Sequence, residues 1–291
     1  MSASSDAPGA PRQRPGRPRV RGADVVALGL LTVAALVMLM PLYLILLAAL
    51  RPAELAFAYP PDLLPTSLTL ANFPEALFRL LPFPLYFRNT AIIAVLGIVG
   101  DLLSCSLVAY GFARFRFPGR DILFVVLLST LMVPLIVRLV PLFVLFQQLG
   151  WINTFLPLVV PAFFGTPLFI FLMRQSFLTI PSELVDAARI DGASEIGIWW
   201  RIMLPLSKPV LAAVAIFAFQ NTWNDFLGPL VFLQKNDVRT VILGLYGLMG
   251  MFADWHLVMA AVVATVLPMV VVFLAFQRFF VKGISVTGLK G

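Results

Sequence analysis

The chain has 291 residues, of which 60% are hydrophobic and only 12% charged, and its formal net charge is +7. Soluble domains carry about twice that charged fraction, so the composition excludes an ordinary soluble enzyme or binding module. A basic soluble protein would suggest a nucleic-acid partner. Here the basic residues lie between long apolar runs, which indicates membrane topology and no nucleic acid. We therefore predict an all-α, polytopic membrane protein with about six transmembrane helices in contact with lipid.

The N-terminal segment, residues 1–22, is rich in Pro, Gly, Ser and Arg and contains no apolar run. That composition is typical of a disordered tail, here a basic one, so the membrane domain is expected to cover residues 23–291. The first apolar stretch, residues 25–50, carries no charge. Because the apolar part of a signal peptide is only about 7–15 residues long, we predict that this stretch stays in the membrane as the first helix.

Five further helices are predicted from apolar runs that can cross a hydrocarbon core of about 30 Å. Prolines interrupt the second and third of these runs, and such breaks are tolerated where neighbouring helices satisfy the freed backbone groups. The long segment 51–88 is expected to hold short surface helices. The five predicted helices cover residues 89–113, 121–146, 155–174, 208–233 and 257–277.

The distribution of Lys and Arg predicts the orientation. If the N-terminal tail is cytoplasmic, fifteen of the 21 basic residues fall in inner segments and five in outer segments, while Arg138 lies within a span. Inner loops of membrane proteins carry the excess of positive charge. Both termini are therefore expected in the cytoplasm, which agrees with an even number of helices.

The inner loop 181–207 predicts two short helices joined by a turn. Ser182 is expected to cap the first helix, with Glu183 favourable in its first turn. Gly192 can adopt a left-handed conformation and end that helix. The second helix is expected to start near residue 194 and to stop at Pro205. Its apolar face, by helical spacing, consists of Ile198, Trp199 and Ile202.

The spacing in this loop resembles the "EAA" loop of ABC-importer permease subunits. That pattern is Glu-Ala-Ala, three residues, Gly, nine residues, Ile, one residue and Leu-Pro. Asp186 stands where the family usually has Glu, which keeps the charge on a shorter stem and would require closer approach by a partner. The residues in register here are Asp186, Ala187, Ala188, Gly192, Ile202, Leu204 and Pro205.

Three other segments are similar to the carbohydrate branch of these permeases, and within it to the maltose-type (MalG-like) inner-membrane permease: residues 110–119, 223–226 and 280–291. The resemblance implies a subunit of a sugar importer in a bacterial inner membrane. Its partners would be a second permease subunit in a heterodimer, two cytoplasmic ATP-binding subunits, and an extracytoplasmic solute-binding protein. Coupling to ATP hydrolysis would run through residues 182–205, hereafter the coupling segment, including Glu183.

Three ionisable residues fall within predicted spans: Asp101, Arg138 and Asp225. Such residues usually face a bundle interior or an aqueous cavity. All three lie about 21–25 Å from the inner ends of their helices. Arg138 is expected to pair with Asp101, because their spans are consecutive and joined by a short turn. Pairing with Asp225, water in the pathway, and snorkelling to the surface remain alternatives.

The fifth predicted span carries a polar face. At 100° per residue, Gln220, Asn221, Asn224 and Asp225 fall within a sector of about 140°, beside Trp223. Amides, a carboxylate and an aromatic ring suit the hydrogen bonding and stacking of a sugar, so these five residues are candidates for lining the pathway. Hydrogen bonding between helices is the alternative.

The sequence lacks a Gly-x-x-x-x-Gly-Lys-Ser/Thr motif, so ATP should be bound by a partner subunit, with no cofactor in this chain. Its single cysteine, Cys105, and single histidine, His256, predict neither a metal site nor catalysis. The chain is therefore interpreted as a transport subunit and not an enzyme. The alternative is a secondary transporter subunit that uses Asp101 and Asp225 for ion coupling, although we find no related halves in the sequence.

Overall fold

The computed structural model describes residues 22–55, 64, 67–249 and 254–287, with side chains for those from 25 to 277. The described part is helical and contains no strand. The predicted N-terminal tail lies outside the described residues, apart from Gly22.

The helices are α1 (Gly22–Leu50), α2 (Asn72–Pro74, continued as a π-helix over Glu75–Leu80), α3 (Phe83–Arg114), α4 (Arg120–Ser129, continued over Thr130–Met132), α5 (Leu135–Gln148), α6 (Leu156–Val159, continued over Val160–Phe164), α7 (Pro167–Leu178), α8 (Ser182–Ile190), α9 (Glu195–Ile198, continued as a π-helix over Trp199–Met203), α10 (Leu204–Leu206), α11 (Lys208–Trp223), α12 (Leu227–Phe232), α13 (Val241–Met249) and α14 (Trp255–Thr287).

The number of spans agrees with the prediction of about six. Four described stretches are long and apolar enough to cross a membrane: Val25–Leu50, Phe83–Arg114, Leu156–Leu178 and Trp255–Gln277. Two bent helix pairs bring the total to six if each pair forms one span. Residues up to Leu44 form a compact unit of their own, and residues from Ile45 onward form another. The first unit contributes the N-terminal part of α1, whose described side chains are exposed and mostly apolar.

The third predicted helix is not continuous. Arg120–Met132 and Leu135–Gln148 meet at an angle of 97°. Pro134 stands at this corner, and Val133 before it is extended. A proline removes a backbone donor and disfavours the helical conformation of the residue that precedes it. The break therefore follows from the Val133–Pro134 pair.

The fifth predicted helix, 208–233, is also divided. Helix α11 ends at Trp223, and α12 starts at Leu227. The carboxylate of Asp225 accepts a hydrogen bond from the backbone N–H of Gly228 at 3.1 Å, so it satisfies one of the free donors at the start of α12. Asn224 and Asp225 therefore lie in a turn rather than on a helical face.

The fourth span, α6 to α7, is broken at Gly165, whose φ of +94° is readily available only to glycine. Polar groups on α3 satisfy the backbone at this break. Ser104 Oγ donates to the carbonyl oxygen of Ala162 at 2.7 Å, and the N–H of Thr166 lies 3.1 Å from Cys105 Sγ. Irregular backbone at membrane depth is stable only with such partners.

Helix α3 is the central element of the second unit. Its 32 residues contain no proline beyond the first turn, and it packs against α7, α11, α13 and the helical turn after α6. Two apolar clusters form at its opposite ends. One contains Tyr110, Phe177 and Val214, and the other contains Tyr86, Val241 and Val258. The ends of α3 are thus each anchored to a different set of helices.

The segment before α3 contains the short helices that were expected there. They are the turn Ala53–Leu55 and helix α2 with its π-helical continuation. Asn72, buried at the start of α2, donates its amide to the carbonyl oxygens of Ala49 and Arg51 at 2.9 and 2.7 Å. This pair of hydrogen bonds fixes α2 to the end of α1.

Candidate functional site: the coupling segment and an intramembrane cavity

The first helix of the coupling segment starts one residue earlier than expected. Pro181 takes the capping position, so Ser182 is the first helical residue and does not cap the helix. A proline suits this place because its missing N–H would have no helical partner there. Glu183 lies in the first turn, as predicted.

Gly192 ends this helix in a left-handed conformation, with φ at +77°, which confirms the prediction for this turn. The N–H of Gly192 donates to the carbonyl oxygen of Arg189 at 3.0 Å, and that of Ala193 to Ala188 at 2.9 Å. These two bonds are those of a Schellman motif. A Cβ at Gly192 would meet nothing within 4 Å, so any side chain there would act through backbone strain alone.

The second helix carries its predicted apolar face inward. Ser194 caps it by accepting the N–H of Gly197 at 3.2 Å. Ile198 and Trp199 are buried, and Ile202 packs against the same cluster. The helical conformation continues through Pro205 to Leu206, so Pro205 does not end the helix. The end comes at Ser207, because Pro209 in the first turn of α11 has no N–H to continue the ladder.

The family-pattern residues divide into an exposed and a packed set. Ala188, Ile202 and Leu204 pack on the cluster beneath the segment. The exposed members are Asp186, Ala187, Gly192 and Pro205, and Glu183, outside the pattern, is exposed as well. Large apolar side chains share the exposed surface, with Ile190 86% and Trp200 57% exposed. The other two large apolar residues exposed in the coupling segment are Leu184 and Ile196.

A polar chain links this surface to α3. Arg189 binds Asp186 at 3.2 Å and Glu195 at 2.7 Å. The hydroxyl of Tyr110, on α3, donates to the other oxygen of Glu195 at 2.5 Å. The hydrogen bond from Arg189 lowers the pKa of Glu195 below its ordinary value, so Glu195 is a charged acceptor for both donors.

Arg114, one turn beyond Tyr110, is a second connection at this end of α3. Its guanidinium donates to the carbonyl oxygens of Phe177 and Ile180 at 2.7 and 2.6 Å, at the end of α7. In the sequence, residues 110–119 indicate only a similarity to the carbohydrate permeases, and neither side chain has a predicted role. The available signal was a tyrosine and an arginine spaced four residues apart at the end of an apolar helix, which places them on one face.

A cavity of about 290 Å³ lies between α3, α5, α6 and the α11–α12 turn. It includes two of the predicted pathway residues, Asn221 and Asp225. The polar side chains that line it are Thr90, Asn221, Thr222, Asp225 and Thr240. Gln220 is exposed elsewhere on α11. Asn224 donates to the backbone oxygen of Gln220 and lines a separate, mostly apolar cavity of about 200 Å³.

Trp223 does not line this cavity. It is only 3% exposed, and its indole N–H donates to the carbonyl oxygen of Thr265 on α14 at 3.0 Å. Its ring packs edge-on against Phe87 and stacks with Phe219. The side chain therefore joins α3, α11 and α14, and the stacking role expected from the sequence is not available to it.

The expected ion pair between Asp101 and Arg138 does not form in the described structure. The carboxylate of Asp101 is buried and accepts the hydroxyl of Thr166 at 2.7 Å. Arg138 is exposed on α5, beyond the corner at Pro134, and pairs with neither Asp101 nor Asp225. Helix α5 leaves the direction of α4 at the 97° corner. The ion pair was predicted on the assumption that both spans are straight, and that assumption is wrong.

The described residues also contain no cluster of three metal-ligating side chains.

A polytopic helical fold with a loop of this spacing defines a membrane component of a transport system. Residues 105–286 match the family described as "Binding-protein-dependent transport system inner membrane component", and the chain belongs to this family. It is therefore an inner-membrane protein with several apolar helices, as predicted.

Named relatives extend along nearly the whole chain. The arabinooligosaccharides transport system permease protein AraQ of Halalkalibacterium halodurans is 38% identical over 260 residues, covering 88% of this chain and 93% of that protein. The sn-glycerol-3-phosphate transport system permease protein UgpE of Yersinia pestis is 34% identical over 272 residues, covering 91% and 96%. These relatives are permease subunits, which agrees with the transport role expected for this chain.

Solved structures share the fold. A bacterial ABC transporter involved in the import of the acidic polysaccharide alginate matches with a TM-score of 0.78 and 23% identity, covering 91% of this chain and 100% of that chain. An alginate transporter in complex with an alginate pentasaccharide-bound periplasmic protein matches with a TM-score of 0.64 and 16% identity, covering 87% and 92%. No support for the secondary-transporter alternative comes from these comparisons.

Proposed function

We propose that this chain is one of two permease subunits in an ATP-driven, binding-protein-dependent importer of a sugar or oligosaccharide. A second permease would complete the pathway, two ATP-binding subunits would supply the energy, and an extracytoplasmic binding protein would deliver the substrate. Both termini would lie in the cytoplasm. The relative named for arabinooligosaccharides supports a carbohydrate substrate, and the alginate transporter bound to a periplasmic protein supports a solute-binding partner.

The coupling segment carries this proposal. Ile190, Trp200 and Asp186 are all exposed in it, although a loop in water would normally bury side chains as large as the first two. Protein–protein interfaces are enriched in aromatic residues and have a polar rim, and the coupling segment exposes both kinds of side chain. The segment is also held in place, by the Schellman turn at Gly192 and by the bonds of Arg189. We assign this surface to the ATP-binding subunit.

The test is co-purification of the ATP-binding subunit with variants of this chain. Ile190→Asp places a charge at the most exposed apolar position of the coupling segment and should abolish co-purification and binding-protein-stimulated ATP hydrolysis. Leu70→Asp is the matched control, because Leu70 is a similarly exposed apolar residue in the segment predicted on the other side of the membrane. Co-purification of the ATP-binding subunit and stimulated ATP hydrolysis at wild-type levels in Ile190→Asp would contradict the assignment.

A further inference from the structure

A cavity of about 580 Å³ lies at the turn between α3 and α4, on the side of the membrane predicted to face the cytoplasm. Its volume falls within the range for small-molecule sites, ~300–1,000 Å³. None of its lining residues belongs to the coupling segment or to the cavity that contains Asp225, so the importer function gives it no role. This arginine cavity is lined by Arg116, Phe117, Gly119, Arg120, Asp121 and Ile122.

The turn at this cavity has a defined backbone. The carbonyl oxygen of Phe117 accepts the N–H of Arg120 at 3.3 Å. Between them stand Pro118 and Gly119, and the φ of +79° and ψ of 0° at Gly119 are those of a type II β-turn. The ring of Phe117 lies 6.2 Å from that of Phe112 on α3. The cavity is therefore formed before a ligand arrives, which lowers the entropic cost of binding.

The lining carries one more positive than negative side chain. Arg120 is bound to Asp121 at 3.0 Å and donates to the carbonyl oxygen of Phe115 at 3.4 Å. Arg116 is exposed and makes no hydrogen bond or ion pair within the described part of the chain. A guanidinium matches the geometry of a phosphate group and can bind it through two parallel hydrogen bonds. The free cation of this cavity thus suits a phosphate.

An apolar stripe on α4 begins at the edge of the cavity. Ile122 lines the cavity, and Val125 and Val126 follow it by three and four residues, which places all three on one face of the helix. They are 71%, 65% and 54% exposed, respectively. The stripe leads from the arginines along a helix of the membrane domain. A soluble anion has no use for such a surface, whereas an acyl chain can lie along it.

We infer that the arginine cavity binds an anionic phospholipid, with its phosphate at Arg116 and Arg120 and one acyl chain along Ile122, Val125 and Val126. Basic pockets on the cytoplasmic side of membrane proteins bind acidic lipid headgroups in this manner. Free phosphate would share the contact with the arginines but not the contact with the stripe. The inference does not depend on which solute the transporter carries.

The experiment uses the transporter with its partner subunits, reconstituted in phosphatidylcholine liposomes that contain a trace of a photoactivatable lipid. Analogues of phosphatidylglycerol and phosphatidylcholine with the same diazirine-bearing acyl chain are compared, and labelled peptides are identified by mass spectrometry. We expect the phosphatidylglycerol analogue to label residues 122–126 about 5-fold more strongly. Excess unlabelled phosphatidylglycerol should suppress this labelling, and free phosphate should not. Arg116→Gln should make the two analogues nearly equal, because one arginine at a membrane surface contributes about 5-fold in affinity.

Lys208→Gln is the matched control, because Lys208 is also basic and exposed, lies on the same predicted side and does not line the cavity. It removes the same charge and should leave the preference unchanged, which separates this site from a general attraction of acidic lipids to basic residues. Equal labelling by the two analogues, or a wild-type preference in Arg116→Gln, would overturn the inference. Absence of label at residues 122–126, expected if a partner subunit covers α4, would also overturn it, as would suppression by free phosphate.

Discussion

Tyr110 is the residue through which α3 makes a hydrogen bond to the coupling segment. Its hydroxyl donates to Glu195, which is also bound by Arg189, the ion-pair partner of Asp186. A hydrogen bond to a charged group contributes about 1.5–3 kcal/mol. The chain of contacts gives a direct route from the exposed surface to a membrane helix.

Tyr110→Phe removes only this hydroxyl and should loosen the connection without unfolding the protein. We expect normal membrane insertion and co-purification of the ATP-binding subunit. The amount of sugar transported per ATP hydrolysed should fall several-fold. Without the hydrogen bond to Glu195, a movement of the coupling segment would displace α3 less. The measurement is uptake and ATPase activity in the same proteoliposomes.

Tyr246→Phe provides the comparison, because Tyr246 is an exposed tyrosine whose ring contacts Phe226 and whose hydroxyl forms no hydrogen bond among the described residues. Its ratio of transport to hydrolysis should equal that of the wild type. An unchanged ratio in Tyr110→Phe would show that the hydroxyl has no role in coupling.

Trp223 provides a second residue-scale prediction. Because it joins three helices and makes a hydrogen bond to Thr265, Trp223→Phe should destabilise the subunit by about 1–3 kcal/mol through the lost bond and the cavity left behind. Substrate preference should not change, since the ring does not line the polar cavity. Thermal unfolding and competition uptake test the two parts. Altered preference at unchanged stability would restore the pathway role expected from the sequence.

At the scale of elements, the turn between the two helices of the coupling segment determines how they are presented. Gly192 has open space around it and a φ of +77°. Gly192→Val should therefore uncouple transport from ATP hydrolysis while leaving the subunit inserted, because a β-branched residue strains this conformation. Binding-protein-stimulated ATPase activity, measured in liposomes, should fall to the unstimulated level.

Gly192→Asn separates backbone strain from side-chain bulk, because asparagine tolerates the left-handed region. Most of the stimulated activity should survive in this variant. Equal loss in both variants would indicate that the partner contacts the glycine surface directly, and equal retention would remove Gly192 from the coupling mechanism.

The elements that sequence could predict are those defined by nearby residues. Apolar runs predicted the spans, and the spacing from Asp186 to Pro205 predicted a helix pair with Ile198 and Trp199 inward. Both depend on one helical period and on turn chemistry. The prolines were harder to interpret. Pro141 and Pro268 lie inside helices, whereas Pro134 stands at a corner of 97°, because tolerance depends on what neighbouring helices supply.

The polar residues of the spans were less predictable for the same reason. The bond of Trp223 joins residues 42 positions apart, and that of Asp101 joins residues 65 apart. No spacing along one helix contains that information. The sequence could also not show that α11 ends at Trp223, which moves Asn224 and Asp225 off the helical face and leaves only Asn221 and Asp225 at the cavity.

At the scale of the whole molecule, the distribution of basic residues predicts the orientation, and the structure offers positions to test it. The native Cys105 is fully buried, and Cys105→Ser gives a background without thiols. Ile190→Cys and Asn236→Cys then place single thiols at exposed positions on opposite sides of the predicted membrane. An impermeant maleimide should label position 236 in intact spheroplasts and position 190 only after permeabilisation. The reverse pattern would invert the topology.

Helix α3 carries Tyr110 near one end and Thr90, a wall of the polar cavity, near the other. The two residues are 20 positions apart, which corresponds to about 30 Å of uninterrupted helix. Such a rod acts as a lever: a tilt of about 5° about its Tyr110 end displaces Thr90 by ~2.6 Å, close to the width of a water molecule. A small angular change at the Tyr110 end is therefore enough to open or close a gap the width of one water molecule beside Thr90, at the wall of the polar cavity.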